Sequence, residues 1–414
     1  MTHAHDIAVL RGLAEHYREA AAKPVQEERR QVWTRHNDLQ STRPLVLVSF
    51  GMWNVWCREV FGDHALQCAD PFFRQHERAL RLLLFQDSLD DDTILEPWYT
   101  LRAAVERRWN NVWGVELGRT EPGMEGGAWK CDPPLKTWDD VRLLRAPRHV
   151  IDEAAARAAY ERLAEAIGDI LPIHIARHPV CINFKADIST DLAHLRGLEQ
   201  VMLDMYEAPE ELHRLLAFMR DGVLANQAEA EQAGDWSLAD SFNQAMPYGG
   251  GLPAPRAGAY GARRAQLWGF FAAQEFTLIS PAMHEEFLLR YQLPIMQQFG
   301  RVAYGCCEDL TRKIDMLRQV PNLRIIAVTP RADVRRCAEQ IGTDYVISWR
   351  PNPTDMVCCG FDDARITRII REGLEACRGC HVHVHLKDIE TVEGDPSRLA
   401  RWVRIVRREA EKCC

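Results

Sequence analysis

The sequence predicts a (β/α)8 barrel, because short apolar strands alternate with helical segments along its carboxyl-terminal part. Four strands are expected there, each followed by a segment with helical periodicity. The predicted strands are 301–306, 323–328, 344–349 and 381–387, and the predicted helices are 309–319, 331–341, 362–377 and 396–412. Such alternation builds parallel sheets through right-handed crossovers, and four units in a row favour a closed barrel.

The upstream elements continue this pattern less regularly. Residues 1–44 show helical periodicity with many charges, so we expect a helical amino-terminal extension, followed by a barrel domain over 45–414. Strands are predicted at 45–51, 93–98, 180–184 and 236–240, with helices over 74–87 and 152–167 and two more within 192–233. The region of about 109–148 is rich in Trp, Gly and Pro and has no clear period, which is typical of an irregular insertion or lid.

Composition excludes several classes of protein. The net charge of -8 argues against binding nucleic acid, whose phosphates require clustered Lys and Arg. No apolar run approaches the roughly 18 residues that span a bilayer, and the first residues lack the pattern of a signal peptide. We therefore expect a cytoplasmic protein without a membrane partner. The 13 cysteines are odd in number and scattered, which favours reduced thiols.

The most informative segment follows the predicted strand at 301–306. An apolar run reaches Gly305 and then gives way to Cys306, Cys307 and Glu308. Thiolates and carboxylates are donors that hold Zn²⁺ at about 2.0 to 2.3 Å. In a barrel the carboxyl ends of the strands build the site, so these residues should face a pocket. The alternative is that the two cysteines are buried and act as small hydrophobes.

Other polar residues lie at predicted strand ends. Lys387 and Asp388 end the last strand, where a charged pair is costly unless it is functional or mutually paired. Arg350 and Asn352 follow the strand at 344–349 and are candidates for binding an anionic or polar group. The alternative for Lys387 and Asp388 is a simple salt bridge.

Further candidates lie in the amino-terminal half. Glu96 falls inside the predicted strand at 93–98, and Lys185 follows the one at 180–184. Trp53 belongs to an aromatic segment suited to an apolar or methylated substrate, or else to ordinary core packing. The run Asp90–Asp92 is expected to form a solvated loop.

Three histidines alternate along the last predicted strand. His381, His383 and His385 share one face of that strand, but neighbours along it are about 6.6 Å apart, too far for all three to bind one ion. His385, nearest the strand's end, is the best candidate for a functional contact.

Two longer stretches carry a resemblance to a known family. Residues 196–210 contain two motifs. A glycine and a glutamate stand one residue apart in Gly197-Leu198-Glu199, and Asp204 to Glu210 has the form Asp-x-x-x-x-Pro-Glu. Together with residues 279–287, they make the chain resemble the uroporphyrinogen decarboxylase superfamily over roughly 180–405. The resemblance implies a (β/α)8 barrel. One branch of the superfamily decarboxylates a porphyrinogen without metal, and another consists of zinc methyltransferases that work with corrinoid proteins or thiols.

The methyltransferase branch carries His-x-Cys at one strand end and a further Cys at the end of the last strand. Here Tyr304-Gly305-Cys306 stands in the place of His-x-Cys, and the last strand ends in Lys387-Asp388. Cys306 matches the family pattern, whereas Tyr304 replaces the histidine. The resemblance therefore implies zinc held by a changed set of ligands, for which we name Cys306, Cys307 and Glu308, and a cobalamin carried by a separate corrinoid protein.

These observations predict a zinc-assisted methyltransferase that moves a methyl group between a small methylated substrate and a corrinoid cofactor or thiol. The expected catalytic residues are Glu308, Lys387 and Asp388. The expected substrate-binding residues are Trp53, Glu96, Lys185, Tyr304, Arg350 and Asn352. Two alternatives stay open: a metal-free decarboxylase or lyase acting on a carboxylated substrate, and a binding protein without catalysis. Association into a homodimer is also left open.

Overall fold

The chain folds into a mixed α/β structure. The computed structural model describes residues 3–49, 59–105, 110–121, 123 and 130–412. Trp53, which was predicted to contact the substrate, lies outside the described residues. In the described part of the chain, no helix is both long enough and apolar enough to cross a membrane.

Parallel strands form the centre of the molecule. Among the described residues, six of them pair in the order β1-β10-β9-β8-β7-β6, and β2 pairs with β5 in a separate parallel sheet. The strands β3 and β4 form an antiparallel hairpin within the predicted insertion. The strands are β1 Leu45–Val48, β2 Tyr99–Arg102, β3 Gly118–Thr120, β4 Lys130–Asp132, β5 Ile173–Ala176, β6 Trp268–Phe271, β7 Arg301–Tyr304, β8 Leu323–Val328, β9 Val346–Trp349 and β10 His381–Leu386. This arrangement is compatible with the predicted barrel fold.

Helices connect and cover these strands. They are α1 His3–Ala21, α2 Pro24–Asn37, α3 Pro71–Ser88, α4 Glu153–Ile167, α5 Ser189–Arg196, α6 Leu198–Glu207, α7 Pro209–Gln232, α8 Pro281–His284, α9 Arg290–Met296, α10 Ile314–Leu317, α11 Val334–Ile341, α12 Asp363–Ala376 and α13 Ser397–Glu411. A π-helical turn, Glu285–Leu289, joins α8 to α9. Several helices begin at an aspartate whose carboxylate accepts backbone N–H groups of the first turn, as Asp362 does for α12.

The carboxyl-terminal half follows the prediction closely. Its four strands begin and end within two residues of the predicted bounds. Three of the four predicted helices there are confirmed as α11, α12 and α13, whereas the predicted helix at 309–319 is reduced to the single turn α10. Local patterns are a good guide here because most residues of each strand are buried.

The predictions upstream are less accurate. The strands expected at 93–98 and 180–184 are wrong, since the paired segments are β2 and β5. Pro97 cannot donate a ladder hydrogen bond, and Asn183 has a φ of 48°, which is incompatible with extended backbone. The segment at 236–240 forms only an isolated bridge between Ser237 and Tyr260. The strand β6 was not predicted at all.

The helices within 192–233 also differ from the prediction. The structure has three helices, α5 to α7, where two were expected. Gly197, with a φ of 89°, separates the first two, because a residue with positive φ interrupts the helical ladder. Pro209 begins the third, at a position where its missing N–H costs nothing.

Among the described residues, no strand pairs with the outer edge of β1, which is held by the loop after α3. Asp92 accepts the Val46 N–H at 2.7 Å and Asp91 accepts the Val48 N–H at 2.8 Å. Gln86 donates to the Val48 carbonyl at 2.8 Å. The expectation of a solvated loop at 90–92 is therefore wrong for Asp91 and Asp92, each 1% exposed. Buried backbone groups need partners, and these carboxylates supply them.

The amino-terminal helices belong to the core. Trp33 of α2 is fully buried in a cluster with Leu45 and Leu47 of β1, and its indole N–H donates to the Asp92 carbonyl at 2.7 Å. Helix α1 packs on α3 and α4 around a second apolar cluster that includes Leu10 and Phe73. The segment expected as an extension thus contributes buried residues to two apolar clusters.

Candidate functional site

A cavity opens at the carboxyl ends of β1, β7 and β10. Its volume is about 590 Å³. Helix α3 supplies Leu82 and Leu83 to its wall, and loops supply Phe184 and Met246. The lining residues are Leu47, Val48, Ser49, Leu82, Leu83, Gln86, Thr93, Phe184, Gln244, Met246, Gln274, Cys306, Cys307, His385, Lys387 and Asp388. The described walls are mostly apolar, and their polar residues come from strand ends, from helix α3 and from loops.

Gly305 turns the chain at the end of β7. Its φ is 106°, and a Cβ added there would lie 2.9 Å from both Ala327 Cβ and Leu310 Cδ1. Only glycine fits this conformation and this space. The turn places the next two residues, Cys306 and Cys307, in the cavity wall.

The thiol of Cys306 lies among hydrogen-bond donors. Its Sγ is 3.5 Å from Cys307 Sγ, 3.4 Å from Lys387 Nζ and 3.8 Å from Gln244 Nε2. Cys306 is 5% exposed, so its interactions are little screened by solvent.

These neighbours change the acidity of both cysteines. The hydrogen bond from Cys307, opposed by burial and aided by the charges of Lys387 and Arg350, lowers the pKa of the Cys306 thiol to about 6. The same hydrogen bond and burial raise the pKa of the Cys307 thiol. Lys387 and Gln244 donate to the Cys306 sulfur, whereas the Cys307 thiol is placed to donate to Asp388 at 3.9 Å, so Cys306 is the more acidic thiol of the pair.

Arg350 supports this arrangement from behind. It is 3% exposed, and its guanidinium donates to the carbonyl of Cys306 and, at 2.9 Å, to Gln244 Oε1. Both contacts are to protein groups beside the thiolate. In this structure Arg350 orients Cys306 and Gln244, and it is absent from the described cavity wall.

Lys387 and Asp388 are paired at the end of β10. The distance from Lys387 Nζ to Asp388 Oδ2 is 3.0 Å, and both residues line the cavity. Asp388 has a φ of 56° and a half-exposed side chain. Lys387 thus bridges an exposed carboxylate and the buried Cys306 sulfur.

Glu308 is fully buried and engaged by backbone. Its carboxylate accepts the Ala273 N–H at 2.7 Å and the Cys306 N–H at 2.8 Å. It joins the chain after β6 to the turn after β7 and is absent from the described cavity wall. Both oxygens of Glu308 thus accept a backbone hydrogen bond, which holds the carboxylate away from the described cavity wall.

The remaining predicted residues lie outside the cavity wall in the described part of the chain. Tyr304 is buried and donates to Gln292 Oε1 at 2.8 Å. Glu96 accepts from the Tyr248 hydroxyl at 2.7 Å, and Lys185 pairs with Asp191. Asn352 is exposed and accepts the Thr354 N–H at 3.1 Å. The structure therefore brings together Cys306, Cys307, Lys387 and Asp388, with Glu308 and Arg350 behind them.

Five polar residues of the described cavity wall were not among the predicted site residues: Ser49, Gln86, Thr93, Gln244 and Gln274. Gln244 comes from an irregular loop, with a φ of 54°, and no local pattern marks it. Ser49 ends β1, and its Oγ is 2.6 Å from Nε2 of His385. The position of Ser49 at a predicted strand end was a usable signal, as it was for His385.

The fold and cavity define an α/β protein with two adjacent cysteines, one with a lowered pKa, at the carboxyl edge of a parallel sheet. No protein-family model matches the sequence. No curated protein matches it either. The structure is similar to that of a methyltransferase from Methanosarcina mazei, with a TM-score of 0.52 and 11% identity over 93% of this chain and 98% of that chain. At this identity the likeness shows a shared fold.

Proposed function

We propose that the protein is a methyltransferase whose reacting group is the thiolate of Cys306, moving a methyl group between a small methylated substrate and a thiol or corrinoid acceptor. The observation that carries the proposal is the position of the Cys306 sulfur, in the cavity wall and 3.4 Å from the Lys387 ammonium. The fold shared with the archaeal methyltransferase and the resemblance to the uroporphyrinogen decarboxylase superfamily both support it.

The chemistry requires a soft nucleophile in an apolar space. In the proposed step the Cys306 sulfur forms a bond to the methyl carbon, while the bond from that carbon to its heteroatom breaks and the electron pair leaves with the heteroatom. Lys387 keeps the sulfur ionised before the step, and Leu82, Leu83 and Met246 surround the methyl group and limit water. Attack by the acceptor on the same methyl group then restores the thiolate.

Zinc was also predicted, and the described residues fit it incompletely. Cys306 and Cys307 offer two sulfurs 3.5 Å apart, but Glu308 is committed to two backbone N–H groups. Among the described residues no group of three His, Cys, Asp or Glu side chains is placed to hold a metal ion. Zinc binding through the two cysteines stays a prediction, and the step above does not use it.

The alternative of a decarboxylase also stays a prediction. In this alternative Lys387, Asp388 and Arg350 would position the substrate's carboxylate, and a thiol would act as acid or base. The hydrogen bonds of Arg350 go to Cys306 and Gln244, so in this structure the arginine orients the thiolate. This contact favours the methyltransferase.

Methylcobalamin, as a free methyl donor, provides a direct test. We expect wild-type protein to gain the mass of one methyl group on Cys306, with the absorption spectrum of reduced cobalamin appearing in equal amount. Cys306→Ser should abolish both signals, and Cys359→Ser, at an exposed cysteine, should leave them unchanged. Methylation that persists in Cys306→Ser would contradict the proposal. A wild-type protein that takes no methyl group from methylcobalamin, even when free thiols are offered as acceptors, would contradict it too.

Metal content tests the zinc prediction separately. Inductively coupled plasma mass spectrometry on protein purified without chelator should give near-stoichiometric zinc if both cysteines bind it. That zinc should be lost in Cys306→Ser, because a two-thiolate site cannot survive the loss of one sulfur. Protein that stays free of zinc after zinc has been offered would remove zinc from the function while leaving the thiolate step intact.

A further inference from the structure

Three buried histidines run through the interior behind the cavity. His385 and His383 lie two residues apart on β10, and His36 comes from α2. His36 Nε2 is 3.2 Å from His383 Nδ1, a hydrogen-bonding distance. All three rings are at most 1% exposed. The thiolate chemistry proposed above uses none of them.

The cavity end of this row is Ser49. Its hydroxyl lines the cavity and lies 2.6 Å from His385 Nε2. The far end is Thr42, whose Oγ1 is 3.3 Å from His36 Nδ1. Thr42 lines a second cavity, of about 690 Å³, at the amino ends of β1 and β10. The row therefore joins two cavities at opposite ends of the parallel strands.

One gap interrupts the row. His383 Nε2 and His385 Nδ1 are buried, and neither has a hydrogen-bond partner among the described residues. Their ring centroids are 6.4 Å apart. A water molecule at about 2.8 Å from each nitrogen spans a gap of about 5 Å, and buried polar groups without protein partners commonly hold such a water. The two unpaired nitrogens thus mark a place for a bridging water.

We propose that Ser49, His385, a bridging water, His383, His36 and Thr42 form a proton relay that supplies the leaving heteroatom of the methylated substrate with a proton. The inference rests on the proposed methyl transfer. When the methyl group leaves a neutral oxygen or sulfur, that atom keeps the electron pair and needs a proton. The Ser49 hydroxyl gives its proton to that atom and takes one from His385 Nε2. Each later member takes a proton from the next, and Thr42 takes its own from water in the second cavity.

The hydrogen-bond directions allow this movement. If Ser49 donates to His385, each ring carries its proton on Nδ1, and the last donor, His36, points at Thr42. If Thr42 donates, each ring carries its proton on Nε2, and His385 points at Ser49. One proton passing through the row changes every ring from one tautomer to the other. Both states satisfy every nitrogen in the row, which a functioning relay requires.

The surroundings keep the rings neutral. Burial and the charges of Arg350 and Lys387 hold the pKa of His385 well below its ordinary value. Burial, His36, His385 and Arg350 do the same for the pKa of His383. Neutral rings pass protons by exchanging tautomers, so no ring needs to store a charge in the interior.

The first test needs no turnover. A high-resolution crystal structure of the wild-type protein should show an ordered water within hydrogen-bond distance of both His383 Nε2 and His385 Nδ1. Nitrogen NMR of protein labelled on its histidine rings should find the same tautomer on His36, His383 and His385. A dry gap between the two nitrogens, or opposite tautomers on His383 and His385, would overturn the relay.

The second test compares two methyl donors with the same reacting atom. After losing a methyl group, dimethyl sulfide becomes a thiolate that needs a proton. Trimethylsulfonium instead becomes a neutral sulfide, which needs none. We expect His383→Phe to slow methylation of Cys306 by dimethyl sulfide by about tenfold or more and to leave methylation by trimethylsulfonium unchanged. Equal effects on both donors, or no effect on either, would contradict the relay.

Failure of the two proposals can be told apart. If neither donor methylates Cys306 in the wild type, the methyltransferase proposal fails, and the water and the tautomers still decide whether the row is continuous. A variant at the buried His284, which lies outside the row and contacts Tyr304, is the matched control for loss of an interior imidazole. His284→Phe should affect both donors alike.

Discussion

The acidity of Cys306 depends on residues that are far apart in the sequence. Cys307 is adjacent, but Lys387 follows β10 and Arg350 follows β9. An unperturbed cysteine has a pKa of about 8.5, so it is mostly protonated at neutral pH. Here the neighbours offset the cost of burial and leave a thiolate. The sequence identifies Cys306 as a candidate site residue, and the tertiary structure determines its acidity.

Replacing Lys387 with methionine should raise the pKa of Cys306. The change keeps an unbranched side chain, one atom shorter, and removes the positive charge 3.4 Å from the sulfur. We expect the midpoint of the pH profile for alkylation by iodoacetamide to move up from about 6 by about one to two pH units. The measurement is the rate of labelling of the Cys306 peptide by mass spectrometry.

The control for this prediction is Lys130→Met, on the exposed strand β4. It should leave the profile of Cys306 unchanged. If Lys387→Met gives the same midpoint as the wild type, the ammonium does not stabilise the thiolate, and the proposed role of Lys387 is wrong.

The contacts of Glu308 differ from those that its predicted roles in catalysis and metal binding require. The sequence placed it correctly beside Cys306, and its type suits both catalysis and metal binding. The side chain points instead at two backbone N–H groups, which orient the turn carrying the cysteine. Only the tertiary structure shows this contact, because Ala273 lies in the loop after β6, which is close in space but distant in the sequence.

At the scale of elements, the outer edge of β1 depends on the loop after α3. Asp91 and Asp92 take the place of a neighbouring strand by accepting the Val46 and Val48 N–H groups. Asp92 also pairs with Arg43, at 2.6 and 2.9 Å. This loop therefore determines the position of β1 and, with it, of Ser49 at the cavity.

Asp92→Asn should destabilise β1. The amide lacks the negative charge and replaces one of the two acceptor oxygens that hold the Arg43 guanidinium, so we expect a loss of about 2 kcal/mol in the free energy of unfolding. Urea denaturation measures this loss. Hydrogen exchange should also quicken at the Val46 and Val48 amides.

The neighbouring residue provides the control. The Asp90 side chain is 77% exposed, so Asp90→Asn should change the free energy of unfolding by no more than about 0.5 kcal/mol. Equal losses in the two variants would mean that the loop acts through its overall charge rather than through the edge of β1.

At the scale of the whole molecule, the amino-terminal helices and the parallel sheet share their apolar contacts. Trp33 of α2 is fully buried against β1, and His36 reaches His383 in the interior. Helix α1 encloses a separate cluster with α3, α4 and β2. We infer that residues 3–37 unfold together with the sheet.

Trp33→Ala tests this inference. Loss of a fully buried indole and of its hydrogen bond to the Asp92 carbonyl should cost about 3 to 5 kcal/mol in the free energy of unfolding. Circular dichroism and tryptophan fluorescence should lose their signals in one transition, moved to lower urea. The matched change Tyr206→Ala, at a side chain 77% exposed, should have little effect. Two separate transitions would show that the helices fold on their own.

The sequence by itself determined the alternation of strands and helices in the carboxyl-terminal half and the place of the cysteines, Lys387 and Asp388 at strand ends. These features depend on local periodicity, which the chain carries without reference to the rest of the fold. Only the tertiary structure decided the bounds of β2 and β5, the burial of Asp91 and Asp92, and the inward turn of Glu308. Each of these depends on a partner distant in sequence, because a buried polar group takes the donors or acceptors that packing brings to it.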